Sequence, residues 1–310
     1  MKKIFIDGSA GTTGLRIAER LESRKDIRLI CLSEENRKDL DARREALNSA
    51  DIAFLCLPDA AAIEAVSLID NDNTVVIDTS TAHRTNPDWA YGFPELSKNH
   101  EEKIKGSKRI ANPGCHASGF IALIYPLVEK GIIGKDALLS CFSLTGYSGG
   151  GKKMIAEYES MEKDPLLQAP RQYGITQSHK HLPEMKEITG IEKEPAFIPV
   201  VGDFYSGMEV TIPLFAGQLK EGFGLEDIKA AYREKYCGPV VSFREDFSEG
   251  GFVSANRLEG KDSMEISVSG NDERILLIAR YDNLGKGASG SAVECMNIIL
   301  GADKTEGLEI

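Results

Sequence analysis

A cysteine that follows a proline and a glycine is the residue of this sequence best suited to nucleophilic chemistry. Cys115 lies in the stretch ANPGCHASGF, at the head of an apolar run. Asn112 is a good helix N-cap and Pro113 suits a first helical position, so we expect Cys115 in the first turn of a helix. Because a helix N-terminus lowers the pKa of a thiol, the sequence predicts a reactive thiolate at Cys115.

A thiolate that acts as a nucleophile needs a proton-transfer partner, and histidines are the candidates. His116 is adjacent to Cys115, but neighbours on a helix point about 100° apart, which makes it a poor base for that sulfur. The stretch QSHKHLPE offers His179 and His181 directly before a second helix start. Either histidine can reach Cys115 only through tertiary folding, and the residues alone leave both open.

A glycine-rich turn follows the first apolar stretch of the chain. The segment IFIDGSAGTTGLRIAERL reads as a strand, a turn with the spacing GxxGxxG, and a helix. This arrangement is a variant of the dinucleotide-binding fingerprint, in which glycines let the backbone and the helix N-terminus approach a pyrophosphate. We therefore predict cofactor contacts from the residues of this turn: Gly8, Ser9, Gly11, Thr12, Thr13 and Gly14.

The end of the second strand bears on the choice between NAD and NADP. Glu34, about 20 residues further on, is a candidate acceptor for a ribose hydroxyl, which would favour NAD. Ser33 and Arg37, with Lys38 nearby, are instead candidates for holding a 2′-phosphate, which would favour NADP. The sequence leaves both open, and we favour NADP(H).

The composition is that of a folded globular protein and excludes several kinds of partner. The chain has 310 residues, which suggests about two domains, and its net charge is −11 with no long basic run. We therefore expect neither a nucleic acid nor an anionic membrane as a partner. No apolar stretch is long enough for a signal peptide core or a membrane span, so we expect a cytoplasmic protein.

The six cysteines include no CxxC pair, so we expect neither a disulfide framework nor a metal site. The cysteines other than Cys115 lie in apolar, strand-like or helical stretches. We expect buried structural thiols at these five positions: Cys31, Cys56, Cys141, Cys237 and Cys295.

Two different sequence patterns along the chain predict two kinds of sheet. Up to about residue 110, short strands alternate with helices, which predicts a Rossmann-type α/β domain with a parallel sheet. From roughly residue 135 to 280, longer alternating segments, GGFVSANRL among them, predict an α+β domain with a mixed, largely antiparallel sheet. The segments GLEDIKAAYREKY and GKGASGSAVECMNIIL are predicted to be helical.

Five motifs in this order resemble one known family: GSAGTTG, NPGCHASG, YSGGGKK, HKHLPE and NLGKGASGSAVECMN. The chain resembles the N-acetyl-gamma-glutamyl-phosphate reductases of the shorter type over nearly its whole length. Aspartate-semialdehyde dehydrogenases are related to that family in fold and mechanism. The resemblance implies NADP-dependent reduction of N-acetylglutamyl phosphate in arginine biosynthesis, through a thioester on Cys115 with His181 as the acid/base residue and His179 as second choice.

The resemblance also implies further site residues. A substrate that carries a phosphate and a carboxylate needs cations and hydrogen-bond donors in its pocket. The implied substrate contacts are Arg84, Asn112, Ser148, Gly149, Gly150, Lys152, His179 and Glu184. The implied cofactor contacts in the last motif are Asn283, Lys286 and Gly287. Each of these segments has an alternative interpretation. Arg84 would then be an ordinary surface arginine, and the glycines of YSGGGKK would form a flexible hairpin. The last motif would be a helix that only packs against its neighbours.

The domain limits and the assembly follow from the same resemblance. We expect a dinucleotide-binding domain over 1–113, a catalytic and oligomerisation domain over 114–285, and a C-terminal helix over 286–310 that packs back on the first domain. A homodimer or homotetramer is implied. Two alternatives remain open: a related acyl-phosphate reductase, such as an aspartate-semialdehyde dehydrogenase, and a non-catalytic nucleotide sensor.

Overall fold

A computed structural model describes all 310 residues of the chain as two compact units. The first unit contains residues 1–114 and 288–308, and the second contains residues 115–287 and 309–310. None of the helices combines the length and the apolar composition that crossing a bilayer would require.

The strands of the chain are β1 (Lys2–Asp7), β2 (Ile27–Ile30), β3 (Ile52–Leu55), β4 (Val75–Asp78), β5 (Ala90–Tyr91), β6 (Arg109–Ala111), β7 (Ser140–Gly146), β8 (Arg171–Gln172), β9 (Ala196–Gly202), β10 (Met208–Phe215), β11 (Val241–Phe243), β12 (Met264–Gly270) and β13 (Arg274–Tyr281). The α-helices are α1 (Thr12–Leu21), α2 (Leu40–Ser49), α3 (Asp59–Ser67), α4 (Lys98–Gly106), α5 (Cys115–Glu129), α6 (Gly151–Glu159), α7 (Leu182–Thr189), α8 (Leu225–Lys235) and α9 (Gly290–Leu300).

The first unit is built on a six-stranded parallel sheet in the order β2-β1-β3-β4-β6-β5. Its central strands are almost continuously apolar because helices cover both faces. On one face Ile4 and Ile6 of β1 pack in a core with residues of α1 and α9. On the other face Phe5 packs with residues of α2 and α3. The parallel α/β prediction is confirmed.

The second unit is built on a seven-stranded sheet in the order β11-β12-β13-β10-β7-β9-β8. Two neighbouring pairs, β11 with β12 and β7 with β9, are parallel, and the other pairs are antiparallel. The sheet is therefore mixed and largely antiparallel, as predicted. Helices α5 and α8 pack on this sheet.

The seven-stranded sheet has one buried face and one that we call the open sheet face. Along β10, Val210, Ile212 and Leu214 are buried, whereas Pro213 and Phe215 between and after them are exposed. This alternation follows from the two-residue period of a strand. The open sheet face carries these exposed or partly exposed apolar residues: Phe142, Ile198, Pro213, Phe215 and Leu276.

Some elements differ from the sequence prediction. Helices α2 and α4 were not predicted because their sequences, LDARREALNS and KNHEEKIKG, are mostly polar. The segment GGFVSANRL is not a strand and contains only a bridge between Glu249 and Phe252. Its two glycines and one serine at short spacing favour turns over an extended ladder.

Candidate active site

The glycine turn of the first unit is tight enough to require glycine at two positions. Gly8 has φ +86°, and a Cβ at this position would lie 2.2 Å from the Cys56 carbonyl oxygen. A Cβ at Gly14 would lie 2.5 Å from the Gly8 carbonyl oxygen. The turn therefore folds against β3 and α1 without room for side chains.

The N-terminus of α1 fits a dinucleotide pyrophosphate. Gly11 is the N-cap residue, has an ordinary φ of −77°, and provides no side-chain cap for the first-turn N–H groups. Uncapped N–H groups at a helix N-terminus favour a bound anion. Ser9, Thr12 and Thr13, which were predicted as cofactor contacts, lie in this turn and its first helical residues and are at least partly exposed.

A buried ion pair supports the glycine turn, and the sequence analysis missed it. Asp7, the last residue of β1, accepts hydrogen bonds from Arg43 Nε (3.1 Å) and Nη2 (3.0 Å). Arg43 Nη1 also donates to Glu64 (3.0 Å). Burial raises the pKa of Asp7, and the charge of Arg43 opposes that rise. The carboxylate directly before Gly8 is thus tied to both α2 and α3.

The residues that bear on NAD or NADP lie together after β2. Arg37 Nη2 donates to Glu34 Oε1 at 2.8 Å, and both side chains are exposed. Ser33 is exposed, and its Oγ accepts from the backbone N–H of Asn36. Glu34, the candidate for a ribose hydroxyl, and Arg37, the candidate for a 2′-phosphate, therefore form an ion pair with each other in this structure.

Asn112 does not cap α5, which corrects the sequence analysis. Its backbone N–H donates to Asp78 O (2.8 Å), and its side-chain Nδ2 donates to Ala288 O (2.9 Å). Because these bonds hold Asn112 at the end of the parallel sheet, its side chain does not cap a helix. Helix α5 begins at Cys115 instead. Cys115 still occupies the first turn, as predicted. Asn112 Oδ1 is buried without a hydrogen-bond partner.

Arg84 is buried in the first unit and is not a surface arginine. Its Nε donates to Asn112 O and its Nη2 donates to Thr79 O, both at 2.9 Å. The guanidinium thereby braces the segment that leads along the chain to Cys115. The role of Arg84 as a phosphate ligand stays a prediction.

The loop that carries Arg84 is fixed by the buried carboxylate of Asp78. Asp78 Oδ2 lies 2.6 Å from His83 Nδ1 and accepts a hydrogen bond from Ser80 Oγ at 2.7 Å. The His83 ring stacks on Trp89 with centroids 4.0 Å apart. His83, for which the sequence indicated no role, therefore anchors this loop.

Cys115 begins α5, and a buried tyrosine of the second unit holds its backbone. Tyr281 donates from its hydroxyl to Cys115 O (2.6 Å) and accepts from Gly119 N (3.0 Å). The hydroxyl thus lies between the two groups that would bond to each other in an uninterrupted helical turn. A Cβ at Gly119 would lie 2.7 Å from this hydroxyl, so glycine makes room for it.

The last predicted motif packs against Cys115 within the second unit. A Cβ at Gly287 would lie 3.2 Å from the Cβ of Cys115. Lys286 is completely buried in a π-helical turn that spans Gly285–Ser289. The backbone N–H groups of Gly285 and Gly287 both donate to the carbonyl of Asp282.

Asn283 and Asp282 connect this turn to neighbouring loops. Asn283 Oδ1 accepts from Gly207 N (2.9 Å), and its Nδ2 donates to Ser148 Oγ (3.0 Å). The Asp282 carboxylate accepts from Ser206 Oγ (3.0 Å). Asn283 therefore positions Ser148, and its role as a cofactor contact stays a prediction. Asp282 and Tyr281 were missed because they precede the quoted motif.

The YSGGGKK stretch forms helical structure and not a hairpin. A short 3₁₀ turn over Tyr147–Gly150 leads into α6, which begins at Gly151. Ser148 is buried, whereas Gly149, Gly150 and Lys152 are exposed. The backbone N–H groups of this helix start and the Lys152 ammonium are suited to an anion.

Tertiary folding brings the three histidines of the second unit together. The ring centroid of His116 lies 5.6 Å from that of His181 and 5.7 Å from that of His179. His181 occupies the N-cap position of α7 without a side-chain cap and is buried, as is Glu184 in the first turn of that helix. The backbone N–H of His181 donates to His179 Nδ1 at 3.2 Å. The predicted histidines therefore adjoin the residue that follows Cys115.

Two of these histidines are held neutral by their surroundings. Burial lowers the pKa of His116 to about 3, and the charge of His179 adds to this effect. Burial, followed by the charge of Lys180, also lowers the pKa of His179. Near neutral pH each ring therefore has one nitrogen that donates and one that accepts.

The other cysteines differ in exposure, and two of them correct the prediction. Cys141 and Cys295 are buried, and burial raises the pKa of the partly exposed Cys56 to about 12. Cys31 and Cys237 are exposed; Cys31 directly follows β2, and Cys237 lies two residues after the end of α8.

Comparison with known families assigns both parts of the chain. Residues 3–105 match the family described as semialdehyde dehydrogenase, NAD binding domain. Residues 115–283 match the family described as semialdehyde dehydrogenase, dimerisation domain.

Curated relatives match over nearly the full length. N-acetyl-gamma-glutamyl-phosphate reductase of a Chelativorans species is 46% identical over 96% of this chain and 98% of its own. N-acetyl-gamma-glutamyl-phosphate reductase 2 of a Nostoc species is 43% identical over 99% of each chain. The crystal structure of aspartate semialdehyde dehydrogenase II from Vibrio cholerae, complexed with ASA, matches with a TM-score of 0.73 at 16% identity, over 97% of this chain and 98% of that one.

Proposed function

This chain belongs to the family of N-acetyl-gamma-glutamyl-phosphate reductases, and from this premise we propose that it reduces N-acetyl-γ-glutamyl phosphate to N-acetylglutamate semialdehyde and phosphate. The reaction is a step of arginine biosynthesis and uses NADPH. The observation that carries the assignment of the site is the histidine cluster beside the first turn of α5, where Cys115 lies. We assign the nucleophile to Cys115 and the acid/base role to His181.

Cys115 has the surroundings that nucleophilic attack requires. It begins a helix, where N–H groups favour a thiolate, and it is only partly buried, so a substrate can reach it. The thiolate attacks the acyl carbon and forms a thioester, while phosphate leaves with the electrons of the broken carbon–oxygen bond. Gly287 has no side chain to crowd the Cβ of Cys115.

His181 is a better acid/base candidate than His179. Nδ1 of His179 already accepts the backbone N–H of His181, and the pKa of His179 is lowered by burial. His179 therefore holds the His181 backbone in place. In the proposed reaction His181 takes the thiol proton and returns it when the aldehyde leaves Cys115.

The first unit is assigned to the dinucleotide. Bound NADPH supplies the hydride that converts the thioester into an aldehyde. The glycine turn and the uncapped start of α1 hold the pyrophosphate. Arg37 and Ser33 hold the 2′-phosphate, and this contact requires Arg37 to exchange its pairing with Glu34 for the phosphate.

In the second unit, the start of α6 is assigned to a substrate anion. In the first unit, Arg84 is the proposed phosphate ligand. Lys152 and the N–H groups around Gly150 face solvent and offer positive charge to a phosphate. Ser148, held by Asn283, adds a hydroxyl beside them. Glu184 and Asn112 are further proposed substrate contacts.

We further propose a homodimer that forms through the open sheet face. The face presents Phe142, Phe215 and Leu276 to solvent from three neighbouring strands, and exposed large apolar residues grouped in this way are typical of an interaction surface. The region that contains it matches a family described as a dimerisation domain. A second copy of the same face is therefore its proposed occupant.

The function is tested by phosphate-dependent reduction of NADP⁺ with N-acetylglutamate semialdehyde, run beside aspartate semialdehyde and beside NAD⁺. We expect turnover of the acetylated aldehyde with NADP⁺. We expect Cys115→Ala to lower kcat by about 10⁴-fold or more, because no other group forms the thioester. His181→Gln is expected to lower kcat by about 10²-fold or more, and His179→Gln by less.

Cys237→Ala is the matched control, because Cys237 is an exposed thiol of the same unit, and it should retain full activity. Turnover of aspartate semialdehyde alone would assign the related dehydrogenase instead. Tight dinucleotide binding without turnover of either aldehyde would favour a sensor.

A further inference from the structure

Three buried tyrosines of the second unit donate hydrogen bonds from their hydroxyls to backbone carbonyls of helix α5. The pairs of tyrosine and carbonyl are Tyr281 with Cys115 (2.6 Å), Tyr236 with Ala122 (2.7 Å) and Tyr232 with Leu123 (2.5 Å). The roles assigned above use none of these hydroxyls.

The Tyr236 hydroxyl replaces a donor that a proline removes from the helix. Pro126 lies inside α5 and has no backbone N–H. In an uninterrupted helix the N–H of residue 126 would donate to the carbonyl of Ala122, four residues earlier. Tyr236 supplies this missing donor, so its hydroxyl has a structural role in α5.

The Tyr281 hydroxyl has no missing donor to replace. Gly119, four residues after Cys115, has its backbone N–H and donates it to the Tyr281 hydroxyl oxygen at 3.0 Å. The hydroxyl therefore bonds to both groups that pair with each other in the first turn of an ordinary helix. Burial raises the pKa of Tyr281, so the hydroxyl keeps its proton and its ability to donate.

Through these two bonds the first turn of α5 is tied to the interior of the seven-stranded sheet. Tyr281 is the last residue of β13, which lies between β12 and β10. The next residue of the helix is held separately, since His116 Nδ1 lies 2.7 Å from Ser143 Oγ and its Nε2 lies 2.6 Å from the Tyr173 hydroxyl. Those bonds act on the ring of residue 116, whereas Tyr281 acts on the backbone of the residue that carries the sulfur.

A helix start needs such support more than a helix interior does. Helix ends fray, because the first N–H groups have no partner within the helix. The same N–H groups favour a thiolate only while the turn is formed. A bond that keeps the first turn formed therefore acts on both the position and the ionisation of a thiol in that turn.

We propose that Tyr281 is a positioning residue for the nucleophile, whose hydroxyl keeps the first turn of α5 formed and so fixes the place of the Cys115 sulfur. Tyr281 transfers no proton, and no covalent bond changes. Without the hydroxyl the turn frays, the sulfur takes several positions and fewer thiols ionise. The inference rests on the proposed function, in which Cys115 is the nucleophile, and adds the group that positions it.

The test compares alkylation of Cys115 by iodoacetamide in Tyr281→Phe and in Tyr236→Phe, in a background where the exposed Cys31 and Cys237 are changed to serine. Tyr281→Phe should raise the apparent thiol pKa and slow alkylation near neutral pH by about 5-fold, the order of effect of one hydrogen bond. Tyr236→Phe is the matched control, because it removes a buried hydroxyl from a later turn of the same helix, and it should leave the rate unchanged.

The thermal midpoints of the two variants should fall in the opposite order. Tyr236→Phe takes a donor from the Ala122 carbonyl that Pro126 cannot replace, so its midpoint should fall further. In Tyr281→Phe the Cys115 carbonyl and the Gly119 N–H can bond to each other. Amide hydrogen exchange over residues 115–119 gives a direct measure of the turn, and it should become faster in Tyr281→Phe alone.

Equal alkylation rates in the two variants would overturn the proposal, because the hydroxyl of Tyr281 would then affect stability alone or nothing. A Tyr281→Phe chain that does not fold would also overturn it, since the hydroxyl would then be needed by the whole unit and not by the turn. The assay uses neither substrate nor cofactor, so a failure of the reductase assay leaves its result readable.

Discussion

At the scale of single residues, His116 makes stability depend on pH. Burial lowers its pKa from 6.5 to about 3, whereas an unfolded chain binds a proton at this side chain below about pH 6.5. Between these values the unfolded state binds more protons, so the free energy of unfolding falls as the pH falls. The slope from this residue reaches about 1.4 kcal/mol per pH unit.

We therefore expect the free energy of unfolding to fall less steeply below pH 6.5 in His116→Gln than in wild type, measured by urea denaturation at a series of pH values. His179, whose pKa is also lowered, contributes in the same direction in both proteins. Well above pH 6.5 the two curves should differ by a constant amount, which reports only the changed hydrogen bonds. Parallel curves over the acid range would contradict the assignment.

The nucleophile was predictable at this scale and its supporting groups were not. Cys115 has local signals, a proline, a glycine and a following apolar helix, that fix its place in a helix start. Tyr173 and Tyr281 reach the same turn only through tertiary folding, and nothing in their neighbouring residues marks them. The error at Asn112 has the same origin, since a distant bond partner decided its conformation.

At the scale of elements, two glycines of the glycine turn should have different roles, Gly8 in folding and Gly11 in cofactor binding. Gly8 has φ +86°, and a Cβ there would lie 2.2 Å from Cys56 O, so Gly8→Ala should lower the free energy of unfolding by about 2 kcal/mol or more. Gly11 has an ordinary φ, and a Cβ there would meet its nearest atom, Gly8 O, at 3.3 Å. Gly11→Ala should change stability by about 1 kcal/mol or less.

For NADPH affinity, measured by calorimetric titration of folded protein, the order should be reversed, with the larger effect in Gly11→Ala. In Gly11→Ala the added methyl group occupies space at the helix start where the pyrophosphate is proposed to lie, so the affinity should fall while the fold persists. Wild-type affinity in Gly11→Ala would show that this helix start is not the pyrophosphate site.

Elements with a strong apolar period were predictable, and those with polar sequences were not. Strands β7 and β10 of the second sheet follow the two-residue period and helix α8 the 3.6-residue period, whereas β1, β3 and β4 of the first sheet are short apolar runs. Helix α2 buries an arginine, Arg43, through its pairing with Asp7, and such a buried charge cancels the apolar pattern that would reveal the helix. GGFVSANRL shows the reverse, an apolar spacing that turn residues override.

At the scale of the whole molecule, the open sheet face predicts the state of assembly. Leu276→Glu places a charge in the middle of this face, where it would be desolvated in a dimer, and should convert the dimer to a monomer. Light scattering coupled to gel filtration measures this change. Ile63→Glu is the control, since Ile63 is an exposed apolar residue of α3 in the first unit. A wild-type protein with the mass of one chain would contradict the proposed dimer.

The first unit is assembled from two distant parts of the chain, and this affects the order in which the protein is completed during synthesis. Val293, Met296 and their neighbours in α9 fill the same core as Ile4 and Ile6 of β1. A ribosome releases the first 114 residues long before it makes α9, so one face of the parallel sheet lacks part of its apolar cover while the continuous stretch 115–287 emerges. A nascent chain therefore completes its first unit last, after the whole continuous stretch 115–287 has been made.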